Sequence, residues 1–200
     1  MAVTDPTADD RAAVPGGSRW RRHPRAFAVA AALVAAVVAV AAVVFVHWRD
    51  GLRLFFPLAN GIGQVHLVVG RTMYVGGMVV PSAGNHGVTV RVTSIRPVVT
   101  ADTAHASVRV LLCTVAPGQD TDFLSAYSLT GACSRVAPFT PGTLTFSSRP
   151  KAGTIAAIVA VTPRTSGHVH VAGVDVSYQQ GFRRGDQRTG MAIDTRSPRS

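Results

Sequence analysis

The longest uninterrupted apolar run lies near the N-terminus, between Ala26 and Val46. Its 21 residues (46 − 26 + 1) include no charged or strongly polar side chain. A helix of that length measures about 32 Å, close to the ~30 Å hydrocarbon thickness of a bilayer. Because backbone amides must be paired inside lipid, the run predicts one transmembrane helix.

Beyond this run, apolar and polar residues alternate with the period of two that is typical of half-buried strands. The clearest case, residues 87–95, has valine at 88, 90 and 92 and polar residues at 89, 91 and 93. Another, 169–176, changes phase at Gly173, as a β-bulge would. Further strands are predicted at 65–69, 73–80, 106–112, 143–146 and 155–161, and the last is apolar enough to be covered on both faces.

Breakers rich in proline and glycine separate these runs at the intervals found in β-sandwiches. About seven strands joined by short turns predict an all-β, immunoglobulin-like β-sandwich preceded by one transmembrane α-helix. The buried tryptophan and the cysteine spacing of true immunoglobulin domains are both missing. The expectation therefore concerns architecture alone.

The charges on either side of the apolar run predict its orientation. Five arginines precede it, at positions 11, 19, 21, 22 and 25, and only Arg49 and Arg53 follow it closely. Because short loops rich in Arg and Lys stay in the cytoplasm, residues 1–25 are expected inside and 48–200 outside. Trp20 and Trp48 would then lie near the two headgroup layers, where an indole can be half buried.

A cleaved signal peptide is the alternative, with Ala39-Val40-Ala41 as its small-x-small cleavage pattern. The apolar core is longer than the usual ~7–15 residues of a signal peptide, and the chain stays apolar after Ala41. Both features favour a retained signal-anchor, and both alternatives export the rest of the chain.

The expected organisation has five parts. Residues 1–25, poor in large apolar side chains, are predicted to be a disordered cytoplasmic tail. The transmembrane helix (26–46) leads into a juxtamembrane segment (47–60), an extracytoplasmic β-sandwich (61–195) and a flexible C-terminus (196–200). Within the juxtamembrane segment, Leu52 to Leu58 has two interpretations: an anchor in the headgroup layer, or a cover for the base of the domain.

The two cysteines, Cys113 and Cys133, are predicted to form a disulfide. In an oxidising compartment an even pair within one domain favours this pairing. The bond would close a loop of about 20 residues, worth roughly 3 kcal/mol in the chain-entropy model.

Charge suggests the kind of partner. Residues 48–200 hold 14 Arg and one Lys against seven Asp, so the balance is 15 − 7 = +8, and the chain has no Glu. A basic exported domain is attracted to lipid headgroups, acidic wall polymers or an acidic protein. Scattered arginines that merely keep the surface soluble are the alternative. Nucleic acid is not expected outside the cell.

The C-terminal segment 174–193 is predicted to form a β-hairpin, and Gly181, Gly185 and Gly190 are the residues that its reversal can use because they tolerate a positive φ at little cost. Arg184-Gly185-Asp186 is interpreted as a turn. The hairpin's apolar residues 174, 176, 191 and 193 would face the core. The candidate binding patch then consists of three arginines that project together from one end of the sandwich: Arg183, Arg184 and Arg188.

Other chemistry is weakly indicated. No Gly-x-Ser-x-Gly motif occurs and Glu is absent, so an enzyme is not expected. His168 and His170 share a strand face and could bind metal with a third ligand from His66, His86 or His105, but a wet strand face explains them equally. Asp120 and Asp122 are too few for a Ca²⁺ site. No cofactor or metal is predicted.

Alanine recurs in the apolar run at positions 28, 32, 35, 39 and 42, which lie along one face of a helix. Such a stripe of small residues lets two transmembrane helices approach closely, so a parallel homodimer is possible in principle. Ten of the 21 residues in the run are alanine, so the stripe is also expected by chance.

The C-terminal pattern of Gly173-Val-Asp-Val-Ser-Tyr178, Gly181, Arg184-Gly185, Gln187 and Thr189-Gly190 resembles one found in uncharacterised single-pass membrane proteins of actinobacteria. These also combine an arginine-rich tail and a transmembrane helix with an exported two-cysteine β domain. The resemblance, over about residues 87–195, implies that architecture and no activity. The expected function is a protein-interaction or accessory module of the cell envelope; the alternative is a binding domain for an anionic wall polymer or lipid headgroup.

Overall fold

A computed structural model describes residues 24–57, 59–82, 87–119, 125–148 and 152–197 of the chain. Its helix α1 (Pro24–Asp50) contains the predicted span and continues four residues beyond it. Within the described residues, Phe27–Asp50 is the one helix long and apolar enough to cross a membrane, with a mean hydropathy of 3.0. Residues 1–23 of the predicted tail and 198–200 of the predicted C-terminus lie outside the described residues.

The chain divides after Val44 into two units, and the second, Phe45–Ser200, contains the β domain. Its described residues form ten strands: β1 (Ala59–His66), β2 (Met73–Val75), β3 (Gly87–Asp102), β4 (Ser107–Val115), β5 (Ser125–Ala126), β6 (Cys133–Pro138), β7 (Gly142–Ser147), β8 (Ile155–Thr162), β9 (Gly167–Gln180) and β10 (Arg183–Ser197). They make two five-stranded sheets, ordered β1-β10-β9-β3-β7 (sheet I) and β5-β2-β8-β4-β6 (sheet II). All pairs are antiparallel except β1 with β10.

The core lies between the two sheets, and the alternation in the sequence predicts which residues fill it. In β3 the valines at 88, 90 and 92 are buried while positions 89, 91 and 93 are exposed, which confirms the prediction. From sheet II the core takes residues 157, 159 and 161 of β8, and Ile158 and Ala160 on the opposite face of that strand are buried too. The prediction that this strand is covered on both faces is therefore confirmed.

The phase change at Gly173 is a β-bulge, as predicted. Gly173 has φ +84°, and β9 has two residues opposite one of β3 where their register shifts between Pro97 and Val99. The register with β10 also shifts, between Thr189 and Ala192. The partner strand contributes Gly190, with φ +93°, to the same irregularity. Because of the bulge, the buried positions of β9 change from odd (169, 171) to even (174, 176).

The predicted strand list has wrong bounds for three strands and lacks two others. Of the expected strand 73–80 only 73–75 pairs, because Gly77 adopts φ +68° and turns the chain. The expected strand 65–69 begins earlier, at Ala59. Strand β3 continues through Pro97 to Asp102, where it pairs with β9 alone, since β7 pairs only with its first half, up to Val92. Strands β5 and β6 were not predicted.

The predicted disulfide between Cys113 and Cys133 is confirmed, with a Cα–Cα distance of 5.4 Å. It joins β4 to β6, which are neighbours in sheet II. The bond of an immunoglobulin domain instead crosses between the sheets. Here it ties edge strand β6 to the sheet.

The segment that follows the helix covers the base of the core. Leu52 and Phe55 are buried, and the Phe55 ring packs edge-on against Phe146 and Tyr178 at centroid distances of 5.5 and 4.9 Å. The Tyr178 hydroxyl donates to the Leu52 carbonyl oxygen at 2.8 Å and contacts Gln187 Oε1. The buried residues of this segment therefore fit the second interpretation, in which it covers the base of the domain.

Gln187 completes this attachment. Its Oε1 accepts from the N–H groups of Leu54 and Phe55 at 2.8 and 3.2 Å, and its Nε2 donates to the Phe55 carbonyl at 3.3 Å. The Leu54 N–H is also 3.0 Å from the Tyr178 oxygen. Side chains thus satisfy backbone groups that have no strand partner, as buried polar groups require.

Replacing Tyr178 by phenylalanine is expected to lower the free energy of unfolding by about 1–3 kcal/mol, because the Leu52 carbonyl loses its donor in a buried site. Chemical denaturation of the full chain in detergent measures this. The matched control is Tyr127→Phe, whose hydroxyl bonds the His66 carbonyl at the surface and should matter less. Equal losses in the two variants would contradict the argument.

The same tyrosine predicts an alkaline limit of stability. Burial raises the pKa of Tyr178 above its ordinary value of 10.0. A raised pKa means that the folded protein holds the proton more tightly, so this stabilisation is complete below pH 10 and is lost as the pH rises through the folded pKa. The stability of Tyr178→Phe should fall less steeply above pH 10 than that of the parent chain.

Candidate anion-binding face

The β9–β10 hairpin is present and turns at Gly181, one of the three glycines that the sequence offers, whereas the interpretation of Arg184-Gly185-Asp186 as a turn is wrong. Gln180 pairs with Arg183, so the loop consists of Gly181 and Phe182 alone. Gly181 has φ +60°, the conformation that the first position of a type II′ turn requires. Gly185, the predicted turn residue, is buried within β10.

The three arginines of the candidate patch do not project together. Consecutive residues of a strand point to opposite faces, so Arg183 lies on the other face of β10 from Arg184 and Arg188. The Arg183 guanidinium lies over the Trp48 ring, 5.0 Å from its centroid, and Nε donates to the Trp48 carbonyl at 3.3 Å. Arg184 and Arg188 are exposed on the outer face of sheet I.

Strand pairing brings two further arginines to that outer face. Arg91 of β3 is opposite Gln179 of β9, which is opposite Arg184 of β10. Four residues away along β9, Asp175 is likewise opposite an arginine on each neighbouring strand, Arg96 of β3 and Arg188 of β10. We call the four arginines, Arg91, Arg96, Arg184 and Arg188, the arginine face.

The arginine face has regular dimensions. Strands are about 4.8 Å apart, so the two arginines of each row are separated by about 10 Å at the backbone, and the rows by about 13 Å. Ser177 and Asp186 lie between the rows and line two hollows of about 480 and 290 Å³. With two aspartates among four arginines, the formal balance of this face is 4 − 2 = +2.

Asp175 and Arg188 form the strongest ion pair on this face. Arg188 Nε and Nη2 donate to the two carboxylate oxygens at 2.8 and 3.1 Å. This hydrogen bond to Asp175 raises the pKa of Arg188 above its ordinary value, so the guanidinium stays charged. Arg91, Arg96 and Arg184 make no ion pair within the described part of the chain, and their charges remain available to a ligand.

Sequence reasoning missed Arg91 and Arg96. The exposure of Arg91 followed from the alternation in residues 87–95. Arg96 is in phase with the buried valines of that run and is exposed only because the register with β9 shifts between Val92 and Ser94. The proximity of both to Arg184 and Arg188 depends on which strand pairs with β3. Matching charges across strands was a usable signal: Asp175 is the one acidic residue of β9, which has no Arg or Lys, and opposite charges favour direct pairing across strands.

The remaining candidate residues do not form a site. His168 and His170 stack with centroids 6.4 Å apart, and His168 Nε2 bonds Asp194 Oδ1 at 2.5 Å. Across the described residues, no group of three His, Cys, Asp or Glu side chains could hold a metal ion. His86, Asp120 and Asp122 lie outside the described residues.

Comparison with known proteins adds no further constraint. No protein family, curated protein or solved structure matches the chain. The arginine face and helix α1 are therefore the two features that indicate a function.

Proposed function

We propose that this chain is a membrane-anchored, extracytoplasmic binding module, without catalytic activity, that retains an anionic polymer of the cell envelope on its arginine face. The carrying observation is that four exposed arginines from three adjacent strands share one face of sheet I, three of them without an ion-pair partner among the described residues. In the proposed topology residues 1–25 are cytoplasmic and α1 is a retained anchor in the cell membrane.

The proposal includes an immunoglobulin-like relationship for the β domain. In immunoglobulin domains strand B pairs with E in one sheet, and G, F and C are neighbours in the other. Strands β2 and β8 pair here as B and E would, and β10-β9-β3 have the order G-F-C. Four strands (β4–β7) stand between C and E, and the disulfide stays within one sheet, so the relationship concerns this five-strand centre.

The arginine face suits an extended polyanion better than a small enclosed ligand. Its two hollows open to solvent, and hydroxyl, carboxylate and guanidinium groups are among those that line them. A guanidinium offers five donors in a planar fork that matches phosphate and carboxylate oxygens. Four such groups in two rows let a flexible polymer make several contacts at once, which raises its overall affinity.

Replacing Arg91, Arg96 and Arg184 together by glutamine is expected to weaken binding to immobilised poly(glycerol phosphate) by about 100-fold at low salt. Each charge contact contributes about 1 kcal/mol at close range in water, and 1.4 kcal/mol corresponds to a factor of ten. Binding of the full detergent-solubilised chain would be measured across a salt series. The slope against salt should decrease in the variant.

The matched control is Arg109→Gln, Arg135→Gln and Arg164→Gln, which removes the same charge from exposed positions away from the arginine face. This control should bind nearly as well as the parent chain. Equal weakening in both triple variants would show attraction to net charge alone and would contradict a site.

A second candidate function is the docking of an envelope protein. It is favoured by the open edge of sheet II, where β6 is largely exposed and Val136 faces solvent with 41% of its surface. An unpaired strand edge can accept a strand from a partner. Retention of a partner protein at high salt, unaffected by the arginine substitutions, would favour this candidate over the polymer.

A further inference from the structure

We propose that the tip of the β9–β10 hairpin inserts Phe182 into the headgroup layer of the membrane and binds an anionic lipid headgroup through arginines beside it. The hairpin would then be a second point of membrane attachment, in addition to helix α1. This inference rests on the membrane anchoring of the proposed function and is independent of the ligand of the arginine face.

The first observation is that the hairpin tip lies close to the end of the apolar run. Helix α1 continues to Asp50, so Trp48 lies about 3 Å along the axis beyond Val46, the last residue of the apolar run. The Phe182 ring contacts the Trp48 ring at an interplanar angle of 46°, with centroids 5.4 Å apart. The hairpin tip is therefore within about one helical turn of the end of the apolar run, at the level where aromatic residues meet the headgroups.

The second observation is that both rings are exposed. Phe182 has 61% of its surface accessible, and Trp48 has 46%. A two-residue turn needs no phenylalanine at its second position, and leaving one in water forfeits the free energy of its burial. A headgroup layer would cover both rings and give the tip an apolar neighbour.

The third observation is charge. Arg183 lies over the Trp48 ring and uses Nε for the Trp48 carbonyl, while a guanidinium has four further N–H donors for a phosphate. Arg53 is exposed and directly follows Leu52, whose carbonyl oxygen accepts a hydrogen bond from the Tyr178 hydroxyl. Both cations thus lie at this end of the domain and would attract an anionic lipid.

The tip is also held in place, so its insertion into the headgroup layer loses little conformational entropy. The Leu52 N–H donates to the Arg184 carbonyl at 3.2 Å, next to the Tyr178 hydroxyl and its bond to Leu52. These contacts fix the hairpin against the chain that leaves the helix. A surface fixed before binding loses less entropy when it binds.

The test places a single tryptophan at the tip of the full chain. In Trp20→Phe, Trp48→Phe, Phe182→Trp the aromatic pair is kept and only the tip fluoresces. The matched control, Trp20→Phe, Trp48→Phe, Val68→Trp, carries its tryptophan at an exposed position beyond β1, at the opposite end of sheet I. Both are reconstituted in phosphatidylcholine vesicles brominated near the headgroup end of the acyl chains, with or without phosphatidylglycerol.

We expect emission from the tip to be blue-shifted and quenched severalfold more strongly than emission from the control. Phosphatidylglycerol should increase the quenching, and Arg53→Gln, Arg183→Gln should remove that increase, whereas Arg109→Gln, Arg135→Gln should not. The inference would be overturned if quenching at the tip were no stronger than at the control. It would also be overturned if the blue shift of the tip tryptophan required a copurifying protein. Flotation of the same chains with vesicles after an alkaline wash tests the anchor separately.

Discussion

Replacing Gly185 by alanine is expected to destabilise the β domain by about 3 kcal/mol, at the upper end of the range for overpacked sites. A Cβ at this position would lie 2.5 Å from Tyr178 Cζ and closer still to the Leu52 carbonyl oxygen. One of these neighbours is backbone, and the other is held by the hydrogen bonds of its hydroxyl. Neither can move without opening the attachment of the juxtamembrane segment.

Gly87→Ala is the matched control for this prediction, since it adds the same methyl group to a glycine in the same sheet. A Cβ at Gly87 would have no atom of the described residues within 4 Å, and the φ of Gly87 is not positive. This variant should leave stability unchanged or raise it slightly, because alanine restricts the unfolded chain. Equal denaturation midpoints for the two variants would show that the close approach at Gly185 does not limit stability.

Removal of the disulfide by Cys113→Ala with Cys133→Ala is expected to cost about 3 kcal/mol, the value for a loop near this length in the chain-entropy model. Cys113 is fully buried, so loss of its packing adds to the effect. Urea denaturation of the full chain measures the difference. The free energy of unfolding should fall chiefly because the urea midpoint decreases, with β6 released from β4.

A reductant provides the control for the disulfide. It should lower the denaturation midpoint of the parent chain toward that of the double variant and leave the double variant unchanged. A parent chain that is insensitive to a reductant able to reach the bond, as shown by thiol labelling, would contradict a stabilising role.

The strands that the sequence predicted well are those with one buried and one exposed face along their whole paired length. In β3 the valines at 88, 90 and 92 alternate with polar residues because each strand residue reverses its side. The same local rule located the bulge at Gly173, whereas β8, which is buried on both faces, was marked by its continuous apolar run. Strand β6 escaped prediction because it is an edge strand with most of its residues exposed, so no alternation marks it.

The candidate site divided in the same way. Exposure of Arg91 and Arg184 is a local property and could be inferred from neighbouring residues. Their common row depends on Gln179 pairing with both, which is a contact between strands distant in the chain. For Arg183, the sequence showed a third arginine of the patch, whereas the structure stacks it on Trp48.

By itself the sequence determined the apolar helix, the β class of the domain, its main buried positions and the cysteine pair, because each follows from composition or from a period of two or 3.6 residues. Only the tertiary structure decided the strand order, the two-residue turn at Gly181 and why residue 185 has no room for a Cβ. These depend on close approach between segments far apart in the chain: the juxtamembrane backbone at Leu52 occupies the space beside Gly185, and pairing of β10 with β9 up to Gln180 moves the turn away from it.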